Sequence, residues 1–349
     1  MSDELLQRLA PQMADYRAET QVYVPYVMHG ARPAIRRLSH STDEYGFRRT
    51  LRGGEPMSLA AFHALPAAGK PSALIGNSTA FGVGASSDAA TIASQLNALG
   101  SRVWFNFAGR TFNQVQELIA FLLFAPARVD TAVLMTGINL LDMSYRFASE
   151  AHVPLAPFHL ERLFLSRLDR QPDDRPGALL HRLWCRLRGR SPGDGFLEGE
   201  VCSSLRRGLE DGEHLVEQPL NLGRALDHFR RMVGIWSDLV PRRIGRLVFA
   251  LQPVPDLFGR PLSAQETQLL AASETHRPPS WHVVREHVRG QADAFREGTL
   301  AACRDARVES IDLNASPLTE TPWVFIDRYH LTDAAQARIA ALLAAFLGP

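Results

Sequence analysis

The sequence predicts an α/β protein built on a parallel sheet. Short apolar runs bounded by turn residues recur at Ser72–Gly76, Arg102–Phe107 and Thr131–Thr136, the form that strands buried on both faces take. Between them, Ile92, Leu96 and Leu99, and then Val115, Leu118, Ile119 and Leu122, recur at helical spacing, so each set lines one face of a helix. The two kinds of segment alternate, which predicts successive β-α-β units with right-handed crossovers.

Taken in order, residues 1–71 form an N-terminal arm with a short amphipathic start, an extended segment Val22–Met28, and a turn at Asp43–Arg48 entering a strand. The alternation begins at Ser72, its first helix stops at Gly100, and Gly109 closes the second strand. After Asn139 the pattern breaks. Residues 151–222 read as a helical insertion, a candidate lid, between a first core part (72–150) and a second (223–349). Within it Leu180, Leu183, Trp184 and Leu187 form an apolar stripe opposite Arg182, Arg186, Arg188 and Arg190. Regular pattern returns as a helix over Leu226–Leu239, a strand over Arg246–Leu251, a helix over Ser280–Cys303 and a strand over Val308–Leu313. A closing helix follows on Ile339, Leu342, Leu343 and Phe346.

The bulk numbers exclude several classes of function. A net charge of +1 provides no global field to recruit nucleic acid or an anionic membrane. No run approaches the roughly 20 apolar residues of a membrane span, and Met1–Gln12 carries Asp3 and Glu4 where a secretory leader is apolar. Cys185, Cys202 and Cys303 form neither a paired framework nor a zinc motif. His282 and His287, five apart, do not share a helical face as metal ligands do. A cytoplasmic protein with reduced thiols and no cofactor is expected.

Parallel strands end on one edge, and ligands of open α/β sheets bind outside that edge. Ser78, Gly109 and Asn139 each lie just past a strand end. Acyl transfer requires a nucleophile, a base, a group orienting the base, and donors for the oxyanion. Ser78 offers the hydroxyl, while the Ser78 N–H, a Gly109 N–H left free to point inward and the Asn139 amide offer the donors. Asp327 and His330, three residues apart before the closing helix, offer the orienting carboxylate and the base. Taken alone, Ser78 reads as a helix cap, whereas Thr332 or Asp333 is better placed than Asp327 or His330 to cap the closing helix.

These residues stand in four blocks: Gly76-Asn77-Ser78, Gly109, Gly137-Ile138-Asn139-Leu140 and Asp327-Arg328-Tyr329-His330. The set resembles the SGNH (GDSL-like) hydrolase family in type and order. The resemblance implies a flavodoxin-like α/β/α sandwich with a five-stranded parallel sheet. It also implies cleavage of an ester or thioester of a small acyl substrate through a Ser78 acyl-enzyme, with Asp327 and His330 completing the triad. Asn77 stands where the family has Asp, and Leu140 where the third block ends in Asp. The arm's Asp43-x-x-Gly46-Phe47-Arg48 resembles an arm seen in some bacterial SGNH proteins of secondary-metabolite gene clusters. An acyltransferase, a thioesterase acting on an acyl carrier protein through the insertion's arginines, and a non-catalytic binding protein are the alternatives.

Overall fold

The structure, a computed structural model, describes residues 2–19, 21–137, 139–142, 218–275 and 279–348. Five strands form one parallel sheet: β1 (Pro71–Gly76), β2 (Val103–Asn106), β3 (Val129–Thr136), β4 (Ile244–Leu251) and β5 (Glu309–Asp312). Their order is β2-β1-β3-β4-β5. This is the doubly wound order in which the winding reverses between β1 and β3, opening a crevice at the carboxyl ends of those two strands. Gly76 at the end of β1 is in register with Met135, one residue before the end of β3.

From the first strand of the sheet onward the helices are α1 (Ser78–Phe81), α2 (Ile92–Leu99), α3 (Gln114–Phe124), α4 (Gln218–Asp238), α5 (Ala264–Glu274), α6 (Pro279–Asp305) and α7 (Asp333–Leu347), while the arm carries the short helices Ser2–Leu9, Met13–Ala18 and Leu59–His63. Because strand side chains alternate between faces, the sheet separates two cores. Ala73, Ile75, Ala132, Leu134, Phe249 and Leu251 pack with Phe121 of α3, Phe229 and Trp236 of α4 and Phe295 of α6. Leu74, Val133, Met135, Val248 and Ala250 pack with Leu96 of α2 and with Ile339 and Leu343 of α7. Caps set the helix starts. Thr91 and Thr332 cap α2 and α7, and capping boxes Asn113/Gln116 and Ser263/Glu266 open α3 and α5, each cap contributing about 1 kcal/mol.

Three differences from the sequence reading stand out. Of the expected extended segment only Val22 is strand, at the end of the two-residue strand Gln21–Val22. It pairs with Gly30–Ala31 after the chain turns back through Tyr26 and Met28, whose φ values are 67° and 74°. Helix α5 was not expected, since its buried apolar residues Leu269 and Leu270 are adjacent and repeat at no helical period. The 151–222 insertion, with its apolar stripe and Cys185 and Cys202, lies outside the described residues save for 218–222, which open α4. No described helix is long and apolar enough to cross a membrane.

The Asp43–Arg48 motif fastens the arm to the sheet. Asp43 Oδ1 accepts the Tyr45 and Phe47 amides, both at 2.9 Å. Gly46 turns the chain at φ 91°, where a Cβ would stand 2.3 Å from the Ala31 carbonyl oxygen, so only glycine fits. Phe47 then enters the core, and Arg48 is fully buried.

Candidate active site

The nucleophile candidate owes its exposure to the turn before it. A Cβ at Gly76 would meet the Met135 carbonyl oxygen at 2.2 Å, so the absence of a side chain lets β1 end tight against β3. Asn77 caps α1, its Oδ1 accepting the Thr79 amide at 3.0 Å. Ser78 is thereby the first helical residue, with no carbonyl one turn earlier to engage its N–H. Of the run from Pro71 to Ala85, Ser78 alone is not buried.

Asp327 and His330 sit on a tight loop closed by the Ile326 N–H to His330 carbonyl bond (2.9 Å) and a bridge between Phe325 and Leu331. Asp327 Oδ1 accepts the Tyr329 and His330 amides at 2.9 Å each, while its Oδ2 takes the His330 Nδ1–H at 2.8 Å. Burial works to raise the Asp327 pKa. The His330 charge and hydrogen bond, joined by the two backbone amides, outweigh it and hold the carboxyl below its ordinary range. With Nδ1 committed to the carboxylate, the neutral ring carries its proton there and leaves Nε2 as an acceptor. Ser78 Oγ donates to that Nε2 at 3.0 Å. Residues 252 positions apart in sequence are thus brought within one hydrogen bond.

The loop is braced from outside. Glu266 Oε1 accepts the Val324 and Phe325 amides at 2.7 and 3.2 Å. Arg328, almost fully buried, pairs with Glu274 of α5 and, at 3.1 Å, with Asp256 after β4. Arg285 of α6 joins the same two acids at 2.6 and 3.7 Å. Two guanidinium groups therefore alternate with two carboxylates around the loop's outer side.

The expected oxyanion donors divide. The Gly109 N–H is not free as the sequence reading requires: it donates to the Gly76 carbonyl at 3.1 Å. The physical reason is the ladder between β1 and β2, which continues past Asn106 through Phe107 N–H to Leu74 O (2.8 Å) and on to Gly109. A Cβ at Gly109 would stand 2.2–2.4 Å from the Phe112 ring, so the glycine makes room for that ring. The Asn139 amide donates to the Phe112 carbonyl at a long 3.3 Å. Among the described residues, no group of three His, Cys, Asp or Glu could hold a metal ion.

Two residues on the loops past the strand ends escaped the sequence reading. Gln252, just past β4, lies between Asn77 and Thr79, at 2.7 and 2.6 Å. Its signal was the strand-end rule that picks out Ser78, Gly109 and Asn139, applied to the fourth strand. The other is Thr111, in the left-handed region at φ 59° and held by Gln21 and His29 of the arm; nothing in its residue type announces it.

None of the family models and none of the curated proteins compared with the chain matches it. Among solved structures, an extracellular lipase from Streptomyces rimosus is similar at a TM-score of 0.41 and 12% identity, over 78% of this chain and 98% of that chain. Another solved chain is similar at a TM-score of 0.38 and 16% identity, over 79% of this chain and 94% of that one.

Proposed function

We propose that the protein is a serine hydrolase of the SGNH type that cleaves an ester or thioester through a Ser78 acyl-enzyme. The observation that carries this reading is the aligned pair of hydrogen bonds, Ser78 Oγ to His330 Nε2 at 3.0 Å and His330 Nδ1 to Asp327 Oδ2 at 2.8 Å. As Oγ bonds to the acyl carbon, Nε2 takes the hydroxyl proton and the imidazolium is held by the Asp327 carboxylate, which takes no proton itself. Collapse of the tetrahedral intermediate breaks the bond to the leaving oxygen or sulfur, which receives the proton from Nε2. Water then attacks the acyl-enzyme with His330 as base, releasing the acid and restoring Ser78.

The developing oxyanion is served first by the Ser78 N–H at the start of α1. The Asn139 amide joins it by exchanging the Phe112 carbonyl for the oxyanion, giving up a neutral bond of about 1 kcal/mol for a charge-assisted one. Each such donor is worth ~10²- to 10³-fold in kcat.

Treatment with a fluorophosphonate, followed by peptide mass spectrometry, tests the nucleophile directly. The adduct is expected on Ser78, and Ser78→Ala is expected to abolish turnover of p-nitrophenyl esters. A folded protein that takes the probe elsewhere and spares Ser78 contradicts the reading.

A further inference from the structure

Asn77, Gln252, Thr79 and the Tyr329 carbonyl form one hydrogen-bond chain behind the Ser78–His330 pair, and its direction follows from chemistry alone. Asn77 Oδ1 is committed to the Thr79 N–H as the cap of α1, so the atom turned to Gln252 is Nδ2, a donor. It donates to Gln252 Oε1 at 2.7 Å. Gln252 must then present Nε2 to Thr79, and it donates to Oγ1 at 2.6 Å. Having accepted there, the Thr79 hydroxyl has one proton to give, and it gives it to the Tyr329 carbonyl oxygen at 2.7 Å. Tyr329 immediately precedes His330. Asn77, Thr79 and Gln252 are all essentially fully buried, and the Asn314 amide holds the Gln252 backbone carbonyl at 3.1 Å.

We propose that Gln252 is a positioning residue for the Ser78–His330 pair. It ties the residues on either side of the nucleophile to the carbonyl preceding the base, and it does so only while position 77 carries an amide. An aspartate there would keep the cap through Oδ1 but could only accept from Gln252. The glutamine amide would turn over, its Oε1 would face Thr79, and the single threonine proton would be drawn to Gln252 and away from Tyr329. The same three side chains would then hold the nucleophile loop without holding the base loop. The Asn77 departure from the family block thus has a consequence inside this chain. It sets the direction of the connection that spaces the base from the serine.

This inference rests on the hydrolase reading, and fluorophosphonate labelling of Ser78 separates the two without knowledge of the natural substrate. Labelling rates and p-nitrophenyl acetate kinetics are compared for wild type, Asn77→Asp, Thr79→Val, Thr79→Ser and Gln252→Met, with thermal unfolding as the check on folding. Asn77→Asp and Thr79→Val are each expected to lower the labelling rate and kcat by about 10- to 100-fold, the effect of displacing a reacting group by up to an ångström, with KM unchanged. Thr79→Ser, which keeps the hydroxyl, is expected to recover most of the rate. Asn77→Asp added to Thr79→Val should cost little more, because both break one chain. If Gln252→Met does not fold, the Thr79 pair carries the comparison. Wild type that never labels at Ser78 overturns the hydrolase reading, and this inference with it. Wild type that labels, with Thr79→Val labelling as fast, overturns the role of Gln252 alone.

Discussion

A carboxyl group withdrawn from water into an apolar interior keeps its proton unless something there repays the lost hydration. Glu117, in the first turns of α3, is fully buried, and among the described residues neither oxygen has a partner at ordinary hydrogen-bond distance. Its place near a helix N-terminus favours the anion by about 0.3–1 kcal/mol, less than the burial cost. Burial pushes its pKa up to about 8, only partly offset by the nearby Thr136 hydroxyl. Thr136 ends β3, one residue before the Gly137 block. The sign of the linkage follows. Between the ordinary value of 4.5 and about 8 the folded state holds a proton that the unfolded chain has lost, so stability falls as pH rises through that window. Glu117→Gln, neutral at every pH, is expected to be more stable than wild type by about 1–3 kcal/mol at pH 8, the gain shrinking toward pH 5. Urea unfolding at the two pH values measures it, and an equal difference at both would remove the buried-acid account.

Among the elements, the loop Gly109–Phe112 is held by contacts from the distant arm. Thr111, β-branched, is held in the left-handed region at φ 59°, a strain of about 1–3 kcal/mol that surrounding contacts must offset. The arm supplies them. Gln116 Oε1 is committed to the cap of α3, so its Nε2 donates to the Val27 carbonyl (2.7 Å) and to His29 Nδ1 (3.1 Å). His29 therefore carries its proton on Nε2 and gives it to Thr111 Oγ1 at 2.8 Å. Burial lowers the His29 pKa to about 4, against the opposing pull of the Arg110 and Thr111 backbone. Here the unfolded chain binds the extra proton, between the ordinary 6.5 and about 4, so stability falls as pH drops through that range. His29→Gln is expected to lose this dependence. Wild type should be the more stable at pH 7, with the difference narrowing by on the order of 1–3 kcal/mol by pH 4 in thermal melts. A difference constant with pH would show that the ring titrates elsewhere. This loop also marks where sequence reading stopped. The strand-end rule brought Gly109 to the right edge of the sheet, but its N–H is taken by the Gly76 carbonyl because the β1–β2 ladder runs on past the last residue of β2, and residue type does not announce how far a ladder continues. Helix α5 escaped for another reason, since its burial comes from two adjacent leucines rather than from a stripe.

For the molecule as a whole, the alternation of parallel strands and helices was legible because β1 to β4 are largely buried apolar runs and the helices α2 and α3 between them repeat their apolar residues at helical spacing. The N-terminal arm was not, since polar groups attach it to the sheet. Arg48, fully buried, donates from Nε to Asp88 at 2.5 Å, from Nη1 to the Tyr16 hydroxyl at 2.6 Å and the Gly82 carbonyl at 3.3 Å, and from Nη2 to the Ser39 carbonyl at 2.9 Å. Gly82 is the C-cap of α1, the helix that begins with Ser78, and the Tyr16 hydroxyl lies 3.1 Å from the same carbonyl. One guanidinium thus joins the arm's helix Met13–Ala18, its Asp43–Arg48 turn and the end of the nucleophile's helix. Arg48→Met keeps the volume and removes every donor, leaving Asp88 and three oxygens to find other partners. Because breaking a buried ion pair from one side is the costly direction, the loss is expected to be roughly 3 kcal/mol or more. Arm and sheet should still unfold together, as the arm's Phe47 and Leu59 belong to the sheet's own core. Urea unfolding of Arg48→Met followed by both tryptophan fluorescence and far-ultraviolet circular dichroism reads both points. A single transition shifted to lower denaturant is the expected result, and two separated transitions would mean that the arm is an independent unit docked on the sheet.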